Sequence, residues 1–407
     1  MHTTTQLLQD APADVPLVLG FGIAFDSLYR RDGLKAIDDR FVEFLQQRNP
    51  ELHDRLAAAR AAPDAAVGKM EKDLVVDLAP VLDDFTAELF GIAAEVKALR
   101  ARDQALAPIY SVKRQFVQRR SAKKFTPVQA ESFDGDALRE QLERHLGGEL
   151  TELRFSEKVE SWLGVEAENS EALDVAARYA AWATHSAEGK RRHGNGVLFK
   201  IPHKIEPEHL VPIETATVGG IASLCFPQAR LRQREGFALT DSGTGIEGAL
   251  DQANYCIWCH NQSKDSCAGG IREKSGEFKR NAFGVVMAGC PLEEKISEMN
   301  LVEAEGRTIG ALAIAAIDNP MCAATGHRIC NDCMKACIYQ KQEPVDIPQI
   351  ETRVLKDVLA LPWGFEIYGL LTRWNPLNFR RPLPRPATGR KVLIVGLGPP
   401  VSPSPTT

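Results

Sequence analysis

No stretch of this 407-residue chain approaches the roughly 20 consecutive apolar residues that a membrane-spanning helix needs. The chain begins Met-His-Thr-Thr-Thr-Gln and lacks the charged and then apolar leader that directs export. It also has no excess of basic residues, because 49 Lys and Arg stand against 54 Asp and Glu. That balance argues against nucleic acid as a partner. From these absences we expect a cytoplasmic protein without a membrane span.

The cysteines are concentrated in one region. Eight of the nine lie between residues 256 and 337. In a reducing compartment, clustered cysteines indicate metal ligation or redox chemistry rather than disulfides. The ninth, Cys225, stands apart, and we expect it to be a buried structural thiol. The eight candidate metal ligands are Cys256, Cys259, Cys267, Cys290, Cys322, Cys330, Cys333 and Cys337.

The spacing of these cysteines leaves the metal open. Four thiolates hold an iron–sulfur cubane and eight would hold two, but zinc also binds four thiolates at the C-x2-C spacing of Cys256 and Cys259. With His260 the same segment reads C-x-x-C-H, a haem-attachment motif of exported proteins. Because no export leader is present, we expect His260 to be a solvated or hydrogen-bonding neighbour of the metal site. Spacing alone therefore leaves iron and zinc as alternatives.

The sequence around the cysteines favours iron. It contains Gly-Cys-Pro-Leu at residues 289–292, Ile-Ser-Glu-Met-Asn at 296–300 and Pro-Val-Asp-Ile-Pro-Gln-Ile-Glu at 344–351. In this order, over roughly residues 250–360, the segments resemble the N-terminal iron–sulfur domain shared by the small subunit of bacterial glutamate synthase and by dihydropyrimidine dehydrogenase. Two features depart from that family. The gap between Cys267 and Cys290 is longer, and two residues rather than three separate Cys330 from Cys333.

The resemblance implies two [4Fe–4S] clusters. It implies Cys256, Cys259, Cys267 and Cys337 as ligands of one, and Cys290, Cys322, Cys330 and Cys333 as ligands of the other. The implied function is electron transfer between FAD and a partner subunit or domain within a flavin-dependent NAD(P)H oxidoreductase. The alternative is a zinc-stabilised interaction module without redox activity, whose helical region recruits a partner.

The end of the chain resembles the start of a flavin-binding domain. In the family, the iron–sulfur domain is followed by a strand and Gly-x-Gly-x-x-Gly, whose glycines let the backbone approach a pyrophosphate. Gly396 and Gly398 match that opening as a partial FAD motif, but Pro399 and Pro400 follow, and proline-rich chain cannot continue the required helix. We therefore expect a severed Rossmann-like first strand. Without the missing C-terminal flavin domain, the chain is not expected to oxidise a pyridine nucleotide.

Hydrophobic periodicity predicts a mainly α fold. Apolar residues recur on one helical face from Leu34 to Leu45, from Val75 to Leu89 and from Leu173 to Trp182, with Pro80 starting or kinking a turn. The helical region could also contact a partner subunit. Two basic runs, 113–124 and 190–193, are typical of a solvated face, with an anion-binding or docking patch as the alternative.

Composition divides the chain into five segments. We expect a helical domain (1–193), an irregular or short-stranded connection (194–245), a small α-helical iron–sulfur domain ending in one helix (246–361), an extended proline-rich linker (362–388) and a truncated start of an FAD/NAD(P)-binding domain (389–407).

Overall fold

The computed structural model describes residues 17–227, 231, 235–238, 243–262, 264–326, 329–391 and 393. This part of the chain is mainly helical, as the periodicity predicts. Within it, no helix is long and apolar enough to cross a membrane. Gly396 and Gly398, with most of the predicted Rossmann-like strand, lie outside the described residues.

The helices occupy two stretches of the chain. Those before residue 193 are Arg31–Arg48 (α1), Pro50–Ala61 (α2), Lys69–Leu89 (α3), Ala93–Ala105 (α4), Ala107–Val112 (α5), a π-helix at Lys113–Ser121, Ala122–Lys124 (α6), Pro127–Glu131 (α7), Gly135–Leu146 (α8), Glu152–Gly164 (α9), Ser170–His185 (α10) and Ala187–Arg192 (α11). Those after residue 245 are Ile246–Tyr255 (α12), Ser266–Gly269 (α13), Ile296–Ala304 (α14), Thr308–Asp318 (α15), Cys322–Thr325 (α16), Asp332–Lys335 (α17), Ile347–Ala360 (α18) and Gly364–Leu371 (α19). Short 3₁₀ turns cover Gly20–Gly22, Phe25–Tyr29, Pro207–His209 and Cys259–Gln262.

The predicted apolar faces of α1 and α3 are confirmed. In α1 the apolar residues of the predicted face are all buried: Leu34, Ile37, Phe41, Phe44 and Leu45. In α3 the predicted face is buried at Val75, Leu78, Leu82, Phe85 and Leu89, and Val81 is half-buried. Pro80 lies inside α3, which continues on both sides of it. These faces pack within the protein, since α3 lies against α14 and α15.

The connection between residues 194 and 245 contains a hairpin. Strands Glu214–Val218 (β1) and Ile221–Cys225 (β2) pair antiparallel, with Glu214 opposite Cys225. Gly219 and Gly220 form its turn with φ values of 60° and 81°, a conformation that favours glycine at both positions. The prediction of short strands is therefore confirmed. The prediction that Cys225 is buried is wrong: it is half-buried, because both strands of this hairpin are largely exposed.

Two hydrophobic cores organise the chain. The first joins α1, α2 and α3 to α14, α15, α18 and α19, although these groups are far apart in sequence. The second is built from residues 109–199, mainly α5, the π-helix, α8, α9 and α10. Helix α12 reaches both cores, since Leu250 packs in the second and Ala253 in the first. The cysteine that follows α12 is thus positioned where the two cores meet.

The first part of the proline-rich segment 362–388, up to Phe379, is not the extended linker that its composition predicts. Helix α19 forms between Pro362 and Pro376, and neither proline lies in the helix interior, where it would break the hydrogen-bond ladder. Trp374 is fully buried in the first core. Its indole N–H donates to Asp38 Oδ1 at 2.9 Å. Burial of this large aromatic side chain fixes the segment against the N-terminal helices.

Candidate metal centre

The first thiol group consists of four buried cysteines from distant segments: Cys256, Cys259, Cys267 and Cys337. Cys256 directly follows the last residue of α12, so the helix end determines its position. Trp258 then adopts a left-handed backbone conformation with φ 51°, which is costly for a bulky residue and turns the chain sharply. This turn places Cys259 at the start of the next 3₁₀ turn.

The thiols of the first group interact electrostatically. A hydrogen bond between Cys267 and Cys337 raises the pKa of Cys267 and lowers the pKa of Cys337 to about 6. Burial, together with the nearby thiolates, raises the pKa of Cys256 and that of Cys259, the latter to about 11. Segments 256–267 and 330–337 therefore bring four sulfurs into one buried environment.

The second thiol group consists of Cys290, Cys322, Cys330 and Cys333. Three of its members, Cys290, Cys330 and Cys333, lie close enough for their charges to interact. Burial raises the pKa of Cys290 to about 12 and also raises that of Cys333. Cys330 is exposed, so this group opens to solvent at one edge.

Cys322 approaches the second group from another direction. It is buried at the start of α16, and its thiol donates to the Tyr368 hydroxyl at 3.7 Å. The carboxyls of Glu294 and Glu351 act on both Cys322 and Cys333. These two acids therefore lie near both Cys322 and Cys333.

The long segment between Cys267 and Cys290 folds back on itself. Isolated bridges join Arg272 to Phe278 and Arg280 to Val286 within it. Its two ends cross closely, because a Cβ on Gly289 would lie 2.5 Å from the Ala268 carbonyl oxygen. The Cys290 amide then donates to the Cys267 carbonyl at 2.7 Å. The insertion thus returns Cys290 to the side of Cys267 and links the two thiol groups.

Buried polar side chains of α14 adjoin the first thiol group. Asn300 is fully buried, and its side-chain amide hydrogen-bonds to the Cys256 sulfur. Glu298, two residues earlier on α14, is also fully buried, and burial raises its pKa to about 7. Among the described residues, no three His, Cys, Asp or Glu side chains are arranged around a single metal-ion position.

His260 is a hydrogen-bonding neighbour of the first thiol group. Its Nδ1 lies 2.6 Å from Ser297 Oγ, and the Ser297 hydroxyl also accepts from the His260 backbone amide. His260 is 2% exposed, so the alternative that it is solvated is wrong. Burial also lowers the pKa of His260, which favours the neutral imidazole.

The first basic run is only partly a solvated face. Arg120 and Lys124 form surface ion pairs with Glu166 and Asp174, as that interpretation predicts. Lys113 instead is buried, and its Nζ lies 2.6 Å from Asp251 Oδ1 on α12. The prediction therefore fails at Lys113, because a partner that is distant in sequence neutralises its charge and allows burial.

The sequence did not reveal the contribution of α3 to this region. Lys72 Nζ lies 2.8 Å from Asp265 Oδ2 and 3.6 Å from Glu298 Oε1. In sequence Lys72 is one of several charged residues on an amphipathic helix, and no motif distinguishes it. The one sequence signal that could have indicated this contact is that Asp265 lies two residues before the candidate ligand Cys267.

The chain is similar to two proteins of Rickettsia prowazekii (strain Madrid E). Residues 19–91 match the family model described as the RP005 N-terminal alpha-helical domain. The uncharacterized protein RP005 is 30% identical over 301 residues, which cover 70% of this chain and 98% of that protein. The uncharacterized protein RP006 is 66% identical over 79 residues, 19% of this chain but only 11% of RP006. No solved structure matches. With nearly the whole of RP005 covered at this identity, the chain belongs to the RP005 family.

Proposed function

We propose that this chain is the iron–sulfur, electron-transferring portion of a flavin-dependent NAD(P)H oxidoreductase, in which single electrons pass between FAD and a partner subunit or domain. One observation carries the proposal: segments 256–267 and 330–337 bring four buried thiols together. Of the other four clustered cysteines, Cys290, Cys330 and Cys333 lie near one another, and Cys322 shares the neighbours Glu294 and Glu351 with Cys333. The resemblance to the iron–sulfur domain of glutamate synthase and dihydropyrimidine dehydrogenase gives the thiols this interpretation.

The donor set fits two cubanes. The first thiol group would hold one [4Fe–4S] cluster and the second thiol group the other. Each thiolate of a cubane binds a different iron atom, so its four sulfurs need not surround a single ion. A bound cubane accepts and donates single electrons with little rearrangement. The buried Asn300 amide, which hydrogen-bonds to the Cys256 sulfur, supports this assignment, because amide donors near ligand sulfur stabilise negative charge there.

The protonation states of the thiols also bear on the proposal. Burial holds Cys256, Cys259, Cys290 and Cys333 protonated when no cation is present, since it raises the pKa of each thiol. Metal ligation requires thiolates, so cluster assembly would release protons. The buried first group would be shielded from solvent, and the exposed Cys330 would leave the second group more accessible.

Metal analysis of the full chain tests the proposal. Anaerobically purified protein is expected to be brown and to contain roughly eight iron and eight sulfide atoms per chain, the content of two cubanes. A Cys225→Ser variant is the matched control, because Cys225 lies on the exposed hairpin. It should retain all the iron. A colourless protein with stoichiometric zinc and no acid-labile sulfide would contradict the proposal and favour the zinc-stabilised interaction module.

A further inference from the structure

A cavity of about 390 Å³ lies beside the first thiol group, between the π-helix and residues 255–258. Tyr255, Trp258 and Tyr339 line one wall. The rings of Tyr255 and Tyr339 are stacked, with centroids 4.5 Å apart and planes at 7°. These three aromatic residues lie within two positions of Cys256, Cys259 and Cys337 in sequence. The aromatic wall therefore adjoins the first thiol group.

A second set of lining residues comes from the π-helix. Arg114, Gln118 and Arg119 all line the cavity. In an α-helix with 3.6 residues per turn, residues 114 and 119 would point in different directions. In a π-helix the hydrogen bond runs from i to i+5, so residues five apart lie about one turn apart on the same side. This uncommon backbone thus aligns two guanidinium groups on one face.

The cavity is positively charged. Its described lining residues include two arginines and no Asp or Glu. Arg114 is held in place, because it donates to the Asn254 carbonyl and its guanidinium lies 5.8 Å from the Trp258 ring centroid. Arg119 is exposed and has no carboxylate partner within the described part of the chain. An uncompensated guanidinium over a cavity is suited to a phosphate or carboxylate.

An adjoining cavity of about 360 Å³ shares Arg114 and Tyr255 with this site. Its lining contains three acids, Asp251, Glu343 and Asp346, and three bases, Lys113, Arg114 and Lys200, so it has no excess of positive charge, whereas Arg119 lines only the first of the two cavities. The anionic end of a ligand would consequently lie towards Arg119. Its ring would lie towards the tyrosine pair.

We propose that the Arg114–Arg119 cavity binds a small anion that carries an aromatic ring, of the mononucleotide class. Two guanidinium groups provide the phosphate contact, and the exposed edge of the tyrosine pair and Trp258 provide a surface on which a ring can stack. The cavity volume of about 390 Å³ lies within the range typical of small-molecule sites. The proposal concerns binding and does not depend on the metal.

Isothermal titration calorimetry of the anaerobically purified full chain tests it, with AMP and FMN as probes and inorganic phosphate and riboflavin as half-ligands. We expect FMN to bind at least about tenfold more tightly than riboflavin or inorganic phosphate, since both the ring and the phosphate contribute. For the same reason, AMP should bind at least about tenfold more tightly than inorganic phosphate. Arg119→Gln should weaken that binding about tenfold, as expected for loss of a charge-assisted hydrogen bond. Tyr339→Leu should weaken it through loss of stacking.

Arg120→Gln is the matched control, because Arg120 is adjacent in sequence but is paired with Glu166. It should bind like the wild type. Arg114→Gln is a second test. If the Arg114→Gln protein fails to fold, Arg119→Gln alone decides the question. The proposal is overturned if neither nucleotide binds, if inorganic phosphate binds as tightly, or if Arg119→Gln binds unchanged. The iron content of the same samples tests the proposed function, so a failure to bind nucleotide can be distinguished from a failure of that proposal.

Discussion

Lys72 and Asp265 are 193 residues apart in the chain and meet with Nζ 2.8 Å from Oδ2. The lysine belongs to the helix that matches the RP005 N-terminal domain, and the aspartate lies two residues before Cys267. Glu298, fully buried, is the second carboxylate facing Lys72. One ammonium group therefore compensates two carboxyls at the junction of the N-terminal helices and the first thiol group.

Replacing Lys72 by Met should destabilise the protein by about 3 kcal/mol, because it leaves a largely buried carboxylate without its cation. Lys69→Met, on the same helix, is the control. Its partner Asp73 is exposed, so the loss should stay below about 0.5 kcal/mol. Urea unfolding of both variants measures the difference. Equal losses would show that the Lys72 contact has no special energetic role.

The glycine at the end of the insertion should control the position of Cys290. Gly289→Ala combines a left-handed φ of 85° with a contact 2.5 Å from the Ala268 carbonyl oxygen. Gly276→Ala has a similar φ of 91° but open space around it. Both variants incur backbone strain of about 1 kcal/mol. We expect only Gly289→Ala to lose iron from the second thiol group as well, measured as iron per chain. Similar iron contents in the two variants would contradict this role.

Glu303 should make stability fall as the pH rises through neutrality. Its carboxyl is fully buried, and burial, with Asp103 and Asp357 nearby, raises its pKa to about 8. Because the folded-state pKa exceeds the unfolded value, the folded state holds a proton that the unfolded state has released. The associated stability is fully present below about pH 4.5 and is lost as the pH rises through about 8.

Glu303→Gln removes this titration. Between pH 5.5 and 7.5, the free energy of unfolding of the variant should vary less steeply than that of the wild type, by up to roughly 1.4 kcal/mol per pH unit. Glu95→Gln, at an exposed position on α4, should leave the slope unchanged. Chemical denaturation at several pH values measures both slopes. Parallel curves for Glu303→Gln and the wild type would refute the assignment.

Iron content should reveal how the cysteines are partitioned. Cys259→Ser and Cys290→Ser should each lose about half the iron, because each removes one ligand of a different proposed cubane. The double variant should lose nearly all of it. By contrast, Cys259→Ser combined with Cys337→Ser should lose no more than Cys259→Ser alone, since both belong to the first thiol group. If that pair also loses nearly all the iron, the proposed partition is wrong.

Local pattern predicted the helices better than it predicted their environment. The apolar faces of α1 and α3 follow from 3.6-residue periodicity, which is a property of neighbouring positions. Trp374 was missed because the surrounding prolines predict an extended chain, whereas its burial depends on aromatic side chains about 300 positions away. Lys113 was missed for a related reason: its partner Asp251 is 138 residues away. Periodicity contains no information about such pairings.

The candidate site was predicted as a set of residues, but its surroundings were not. Cysteine spacing identifies the eight thiols, and their assignment to two cubanes remains a prediction from resemblance. Nothing in the spacing indicates that Lys72 would contact Asp265, or that residues 113–121 would form a π-helix. The Lys72–Asp265 contact depends on tertiary packing. The π-helix differs from an α-helix only in hydrogen bonds that span one more residue, which composition does not indicate.

The composition of the first core has a consequence for the order of events at the ribosome. Apart from Leu250, the buried residues of the second core come from one continuous stretch, 109–199, which can close soon after it is synthesised. Helices α1 to α3 must wait for partners that extend as far as Phe379. At roughly 5–20 residues per second, this interval lasts roughly 15 to 60 s. During translation, helices α1 to α3 thus emerge well before the partners that complete the first core, and the parts of their apolar faces that those partners cover are exposed to chaperones for that time.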